Sequence, residues 1–229
     1  MEFKFDNILV WGRSVEEYIQ MFSLTVEDIR LRILDCAGGP ANFNVEMTRR
    51  GGRVISCDPI YKLSKSEIVH HIQDAERQIM DAIQKNVDSF VWRDIQSPKQ
   101  LREIRIAAMQ AFIDDFSLGI QERRYVTGKL PILPFVDQQF DLALCSHFLF
   151  AYSEHLSEEF HLASIVEMCR VAKETRIFPL LDTSGKLSPL LQLVFKKLKK
   201  QGYAVEIRQA SYEFQKGGDK FLCVSRSGI

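Results

Sequence analysis

The feature that most constrains this chain is the stretch Arg32-Ile33-Leu34-Asp35-Cys36-Ala37-Gly38-Gly39-Pro40-Ala41-Asn42, followed by Phe43-Asn44-Val45-Glu46-Met47. A short apolar-biased run ends in an acid, a loop of very small residues follows, and a segment able to start a helix comes next. That order spells a strand, a tight turn and a helix. In open α/β sheets such a junction is where a nucleotide-like ligand sits, because small residues let backbone N–H groups come close to it. A helix stop, Gly51-Gly52, and a second strand, Arg53-Val54-Ile55-Ser56-Cys57, lead to Asp58. An acid there, about 20 residues beyond the glycine turn, can accept hydrogen bonds from ribose hydroxyls. The competing reading of Asp58 is a turn cap before Pro59.

A chain of 229 residues suits one large domain, or one domain with an insertion. With 46% hydrophobic residues and 16 Phe it can bury a sizeable core. Its 30 basic and 30 acidic residues cancel, so no global basic field argues for nucleic acid. Met1-Glu2-Phe3-Lys4-Phe5-Asp6 lacks the apolar core of a signal peptide, and no run of about 18 apolar residues predicts a membrane span. Cys36, Cys57, Cys145, Cys169 and Cys223 form no C-x-x-C pair. An odd count without a secretion signal predicts free thiols in a reducing, cytoplasmic compartment. No metal site is expected: His70, His71 and Asp74 read as the solvated face of a mixed-charge helix.

Taken in order, residues 1–31 read as an N-terminal helical cap, with a capping box at Ser14-Val15-Glu16-Glu17. Residues 62–123 hold more than one crossover helix, with room for about three. Ser64-Lys65-Ser66-Glu67 and Ser97-Pro98 are start signals, and Ile68, Ile72, Ala75, Ile79, Ile83, Val87 and Phe90 form an apolar stripe. This segment reads either as a lid over the cleft or as extra packing on the sheet edge. A third strand falls near 124–127 and a buried fourth at Phe140–Cys145, ending in Ser146-His147. A helix over 157–174 follows, with Phe160, Ala163, Ile165, Met168 and Val171 inward, then a fifth strand over 175–181. A last helix starts at Ser188-Pro189; its cluster of Lys196, Lys197, Lys199 and Lys200 reads as a solvated face. The two closing strands, 204–214 and 220–225, are too near in sequence to be parallel neighbours, which predicts an antiparallel hairpin.

These pieces, in this order and spacing, resemble the class I S-adenosylmethionine-dependent methyltransferase family over roughly residues 24–61 and 124–226. The turn is similar to the pattern D-x-G-x-G-x-G, with Asp35 and Gly39 in place and Ala37 and Ala41 at the outer glycines. Leu133-Pro134-Phe135 before Phe140-Asp141 resembles the family's L-P-F…F-D run, and 165–173 resembles the helix that often follows. The resemblance implies an α/β fold with a Rossmann-like seven-stranded sheet. The sheet would be mostly parallel with an antiparallel C-terminal hairpin strand, helices on both faces and a helical insertion after strand 2. It implies S-adenosyl-L-methionine as cofactor. Asp35, Ala37, Gly38, Gly39 and Asn42 would lie around the methionine end, Asp58 and Pro59 at the ribose, and Ser146 and His147 beside the sulfonium. Lys129 stands where the family's adenine-side acid falls, which leaves that contact to the Leu130 backbone.

Strand four is not followed by an Asn/Asp-Pro-Pro-aromatic run, and no Pro-Cys pair stands there. With the neutral charge, this favours a small-molecule acceptor attacking through O or N. His147 is the leading candidate for a general base, ahead of His155 and Glu154, and equally reads as a hydrogen-bonded core residue. Phe112, Phe148, Phe150 and Tyr152 are candidate pocket walls. Two other functions share these motifs. One is a nicotinamide-dependent oxidoreductase, although residues 37–42 fail G-x-G-x-x-G. The other is a non-catalytic S-adenosylmethionine-binding or interaction module, which the alanines and Lys129 would suit.

Overall fold

The computed structural model describes residues 9–226. Seven strands form one sheet: β1 (Arg32–Cys36), β2 (Arg53–Cys57), β3 (Tyr125–Val126), β4 (Phe140–Ser146), β5 (Ala172–Phe178), β6 (Tyr203–Gln209) and β7 (Lys220–Arg226). Their order is β3-β2-β1-β4-β5-β7-β6. The five strands from β3 to β5 pair in parallel, and β7 runs antiparallel between β5 and β6. This is the methyltransferase-like arrangement, hairpin included, that the sequence resemblance implies. The chain reverses its direction of travel across the sheet between β1 and β4, so a crevice opens there at the strands' carboxyl ends. Asp35 is in register with Ser56 on one side and Leu144 on the other.

The helices are α1 (Val15–Met21), α2 (Phe43–Arg49), α3 (Lys65–Lys85), α4 (Pro98–Gln121), α5 (Glu158–Val171) and α6 (Leu191–Lys200). Ser14 with Glu17 and Ser64 with Glu67 form complete capping boxes, and Ser97 caps α4 ahead of Pro98. One main core lies around β4, β5, α5 and α6, and another around α1, α2 and the hairpin.

Several boundaries differ from the sequence reading. Residues 62–123 carry two long helices rather than three, α3 and α4, of 21 and 24 residues. β5 spans 172–178 rather than 175–181. α5 runs straight into it without a loop, and Pro179 has no N–H to extend the ladder. β6 stops at Gln209, well short of Phe214. On α5, His161 and Ser164 are buried where Ala163 was expected, and Ala163 is exposed.

The α3–α4 pair is attached at two places. Near the sheet edge, Ile68, Ile72, Met109, Phe112 and Phe116 pack with Tyr61 and Tyr125. At its far end, the Val91 N–H donates to Phe214 O at 2.7 Å and Phe90 stacks on Phe214 with centroids 4.9 Å apart. All five cysteines are free and buried. No helix of the described residues is long and apolar enough to cross a membrane.

Candidate functional site

The turn after β1 closes over its own acid. Asp35 is 1% exposed and accepts hydrogen bonds from the Tyr18 hydroxyl at 3.1 Å and the Ser56 hydroxyl at 2.9 Å. Burial pushes its carboxyl up to about 7, against the pull of those two hydroxyls. A Cβ at Gly38 would lie 2.1 Å from Asp35 Oδ2, so only glycine allows the backbone to pass so close. Ala37 sits at φ +53° and Gly39 at φ +54°. The alanine therefore occupies the left-handed region at a cost of roughly 1–2 kcal/mol, while its N–H donates to Cys57 O at 2.9 Å.

Asp58 completes the turn from the end of β2. Its Oδ2 accepts the Gly39 N–H at 3.0 Å and its Oδ1 accepts the Ile60 N–H at 2.9 Å. The second bond caps the 3₁₀ turn Pro59–Lys62, which is the capping reading of Asp58. Burial raises this carboxyl to about 6, opposed by the same two N–H groups. The Tyr61 hydroxyl donates to Gly39 O at 2.8 Å, so the Gly39 peptide units are held on both sides.

The turn and Asp58 border a hollow of about 680 Å³, counted with the part open to solvent. Ala37, Gly38, Gly39, Asp58, Pro59, Ser146 and His147 all line it, as expected from the sequence. Three predicted residues do not. Asp35 lies beneath the turn and is joined by hydrogen bond to Tyr18, which lines the hollow in its place. Asn42 starts α2, and its N–H donates to Arg13 O at 3.2 Å. Leu130 is buried in the core with Cys57 and Leu133.

His147 stands at the end of β4 with φ +51°; its N–H donates to Phe178 O at 2.6 Å, and its Nδ1 lies 2.9 Å from Ser146 Oγ. Burial, then the charges of Arg13 and Arg105, hold its pKa well below the ordinary imidazole value, so the ring is neutral at pH 7. It is a weak base in this setting. His155 and Glu154 line neither this hollow nor the next. Of the aromatic guesses, Phe148 and Tyr152 do reach a hollow, whereas Phe112 and Phe150 are plain core.

A second hollow of about 1,200 Å³, again including open space, adjoins the first. Leu9, Trp11, Arg13 and His147 belong to both walls. Its floor contains Arg105, 2% exposed, whose guanidinium meets Glu17 at 2.7 Å; Glu17 also accepts the Tyr212 hydroxyl at 2.8 Å. Trp11, Arg13, Tyr18 and Arg105 were missed from the sequence. The first three fall in a segment legible only as a capped helix and its approach. Arg105 interrupts the buried face of α4, a signal that was available.

No family model matches the chain. Over 226 residues it is 31% identical to the uncharacterized protein MJ0045 of Methanocaldococcus jannaschii, covering 96% of this chain and 97% of that protein. The chain belongs to the MJ0045 family. Solved structures similar to this family member include the PH0226 protein of Pyrococcus horikoshii (12% identity, 99% of each chain, TM-score 0.49). A magnesium protoporphyrin IX methyltransferase of Synechocystis with bound S-adenosylhomocysteine is similar at 13% identity, 93% and 82% coverage and TM-score 0.47. An S-adenosylmethionine-dependent methyltransferase of Aquifex aeolicus is similar at 14%, 97% and 93%, and 0.44.

Proposed function

We propose that this MJ0045-family protein is an S-adenosylmethionine-dependent methyltransferase acting on a small-molecule oxygen or nitrogen acceptor. One observation carries the reading. The turn 37–39, the acid Asp58 and the strand-end pair Ser146-His147 come from three strands and line a single hollow at the switch point of the sheet. The larger second hollow opens beside it, on the His147 side.

The donor set suits the cofactor. Each oxygen of the Asp58 carboxylate carries one N–H bond, which leaves a lone pair on each for a ribose hydroxyl. A Cβ at Gly39 would meet nothing within 4 Å, so the glycine leaves room on the hollow's rim where a ligand would pass. When bound, S-adenosylmethionine supplies a methyl group already activated on a sulfonium. The residues of this chain then have to hold the sugar through Asp58, shield the turn from water, and admit the acceptor past His147. Alignment of this kind is worth roughly 7–11 kcal/mol of barrier. A neutral His147 ring can accept a hydrogen bond from an acceptor hydroxyl or amine and so orient it. The balanced charge supports a small acceptor over nucleic acid. Five free buried thiols support a reducing, cytoplasmic setting.

The test is calorimetric titration of the full chain with S-adenosylmethionine, S-adenosylhomocysteine and NAD. Binding of both sulfur nucleosides, with none of NAD, is expected. Failure of both to bind overturns the reading. Binding without methyl transfer across a broad acceptor panel would replace it with a non-catalytic binding module.

A further inference from the structure

The wall shared by the two hollows holds a cation, Arg13, that forms no ion pair among the described residues. Arg105 and Arg13 both reach the second hollow, but the ion pair at hand is between Arg105 and Glu17. Arg13 has no carboxylate partner among the described residues; it donates from one terminal nitrogen to Trp11 O at 3.0 Å, and its Nε is buried without a partner. The Nε of Arg105 is likewise buried and unpartnered. Asp182 also lines this hollow; its Oδ1 accepts from the N–H groups of Ser184 and Lys186 and from the Ser184 hydroxyl, and among the described residues it forms no ion pair with Arg13. His147 adds no negative charge. Burial, then the charge of Arg105, depress the Arg13 pKa to about 10, against the opposing pull of Tyr212, Glu17 and Tyr18.

Apolar side chains make up much of the remaining wall, among them Ile79, Ile83, Phe90, Leu101, Phe178 and Phe214, with Gln78, Thr183, Tyr212 and Gln215 between them. Phe90, Leu101, Phe178 and Phe214 come from four different elements or loops. A ligand that fits must bring apolar bulk and one negative group that accepts from a guanidinium fork.

We infer that the methyl acceptor is an apolar, carboxylate-bearing small molecule whose carboxylate is held by Arg13. The inference rests on the proposed function and names the substrate class of the same site. Arg13 also borders the first hollow, so the amino-acid carboxylate of the cofactor is the second source of the same chemistry. The experiment therefore has two arms.

In the first, the full chain saturated with S-adenosylhomocysteine is titrated with aromatic and medium-chain carboxylates and with their matching carboxamides. The carboxylates are expected to bind at least tenfold more tightly than the amides. Arg13→Gln should abolish that ratio and Arg13→Lys should keep part of it, which separates charge recognition from a folding defect. Equal binding of acid and amide, or an unchanged ratio in Arg13→Gln, overturns the inference.

In the second arm, S-adenosylhomocysteine is compared with 5′-methylthioadenosine, which lacks the amino-acid group. The ratio of their affinities should be the same in wild type and Arg13→Gln. A tenfold fall in that ratio assigns Arg13 to the cofactor and overturns the inference. If S-adenosylhomocysteine does not bind the wild-type chain, the proposed function fails first, a result distinct from either arm.

Discussion

The Asp58 carboxylate accepts the Gly39 N–H at 3.0 Å, which ties the end of β2 to the turn after β1. The acid therefore does structural work in the turn while it lines the hollow.

Asp58→Ala is expected to weaken S-adenosylhomocysteine by about 10- to 100-fold, since hydrogen bonds to a charged group are each worth roughly 1.5–3 kcal/mol. In the wild type, affinity should fall as pH drops through about 6, where the carboxyl takes up a proton and loses acceptor capacity. Calorimetry from pH 5 to 8 reads both effects. An unaltered affinity in a folded Asp58→Ala protein would remove the ribose role.

Asp35 predicts a pH dependence of stability. Its folded pKa is about 7, against roughly 3.9 in an unfolded chain. The folded state thus binds more protons between those values, and the contribution of Asp35 is full below about 4 and lost as pH rises towards 7. Asp35→Asn removes this slope. The melting temperature of the variant should improve relative to wild type as pH is raised from 4.5 to 8; a constant difference would show that Asp35 is ionised throughout.

The turn gives an opposed pair of substitutions. Gly38→Ala drives a Cβ to 2.1 Å from Asp35 Oδ2 and should destabilise the fold by about 2–4 kcal/mol. Ala37→Gly relieves a left-handed alanine at φ +53°, and should be neutral or stabilise by up to about 1 kcal/mol after the entropy cost of glycine. Denaturant titration decides; equal losses in both would mean the turn adopts another shape.

Phe214→Ala should release the tip of the α3–α4 pair from the hairpin, because Phe214 packs on both Phe90 and Trp92. The backbone bonds Val91 to Phe214 and Lys216 to Ser89 would remain, so local opening is expected rather than global unfolding. Limited proteolysis should cut within 86–97 several-fold faster, with the melting temperature lowered by only a few degrees. Unchanged cleavage would show that the backbone bonds alone hold the tip.

Local chemistry made much of the fold legible. β2 was placed to the residue, because its run lies between Gly51-Gly52 and Asp58, and β1 falls on the apolar-biased run that leads into the turn. The capping boxes marked α1 and α3, and sequence separation alone made the last two strands antiparallel. The α5–β5 boundary was not legible, since Ala172-Lys173-Glu174 carries neither glycine nor proline and suits a helix as well as a strand. Competition from the ladder to β4 sets it, through Phe140 opposite Ala172 and Leu142 opposite Glu174.

The sequence by itself determined the strand, turn and helix at Asp35–Asn42, the acid at Asp58, and the hairpin, because turn geometry, caps and alternation act over a few residues. Tertiary structure alone decided that Tyr18 rather than Asp35 faces the hollow. It alone brought Arg105 on α4 to Glu17 on α1 and within 3.4 Å of Gly12 O. Such contacts join residues some 90 positions apart, and no local pattern encodes which buried charge will meet which. The carboxylate that Arg13 lacks belongs to the same class of fact, visible only once the chain has closed around it.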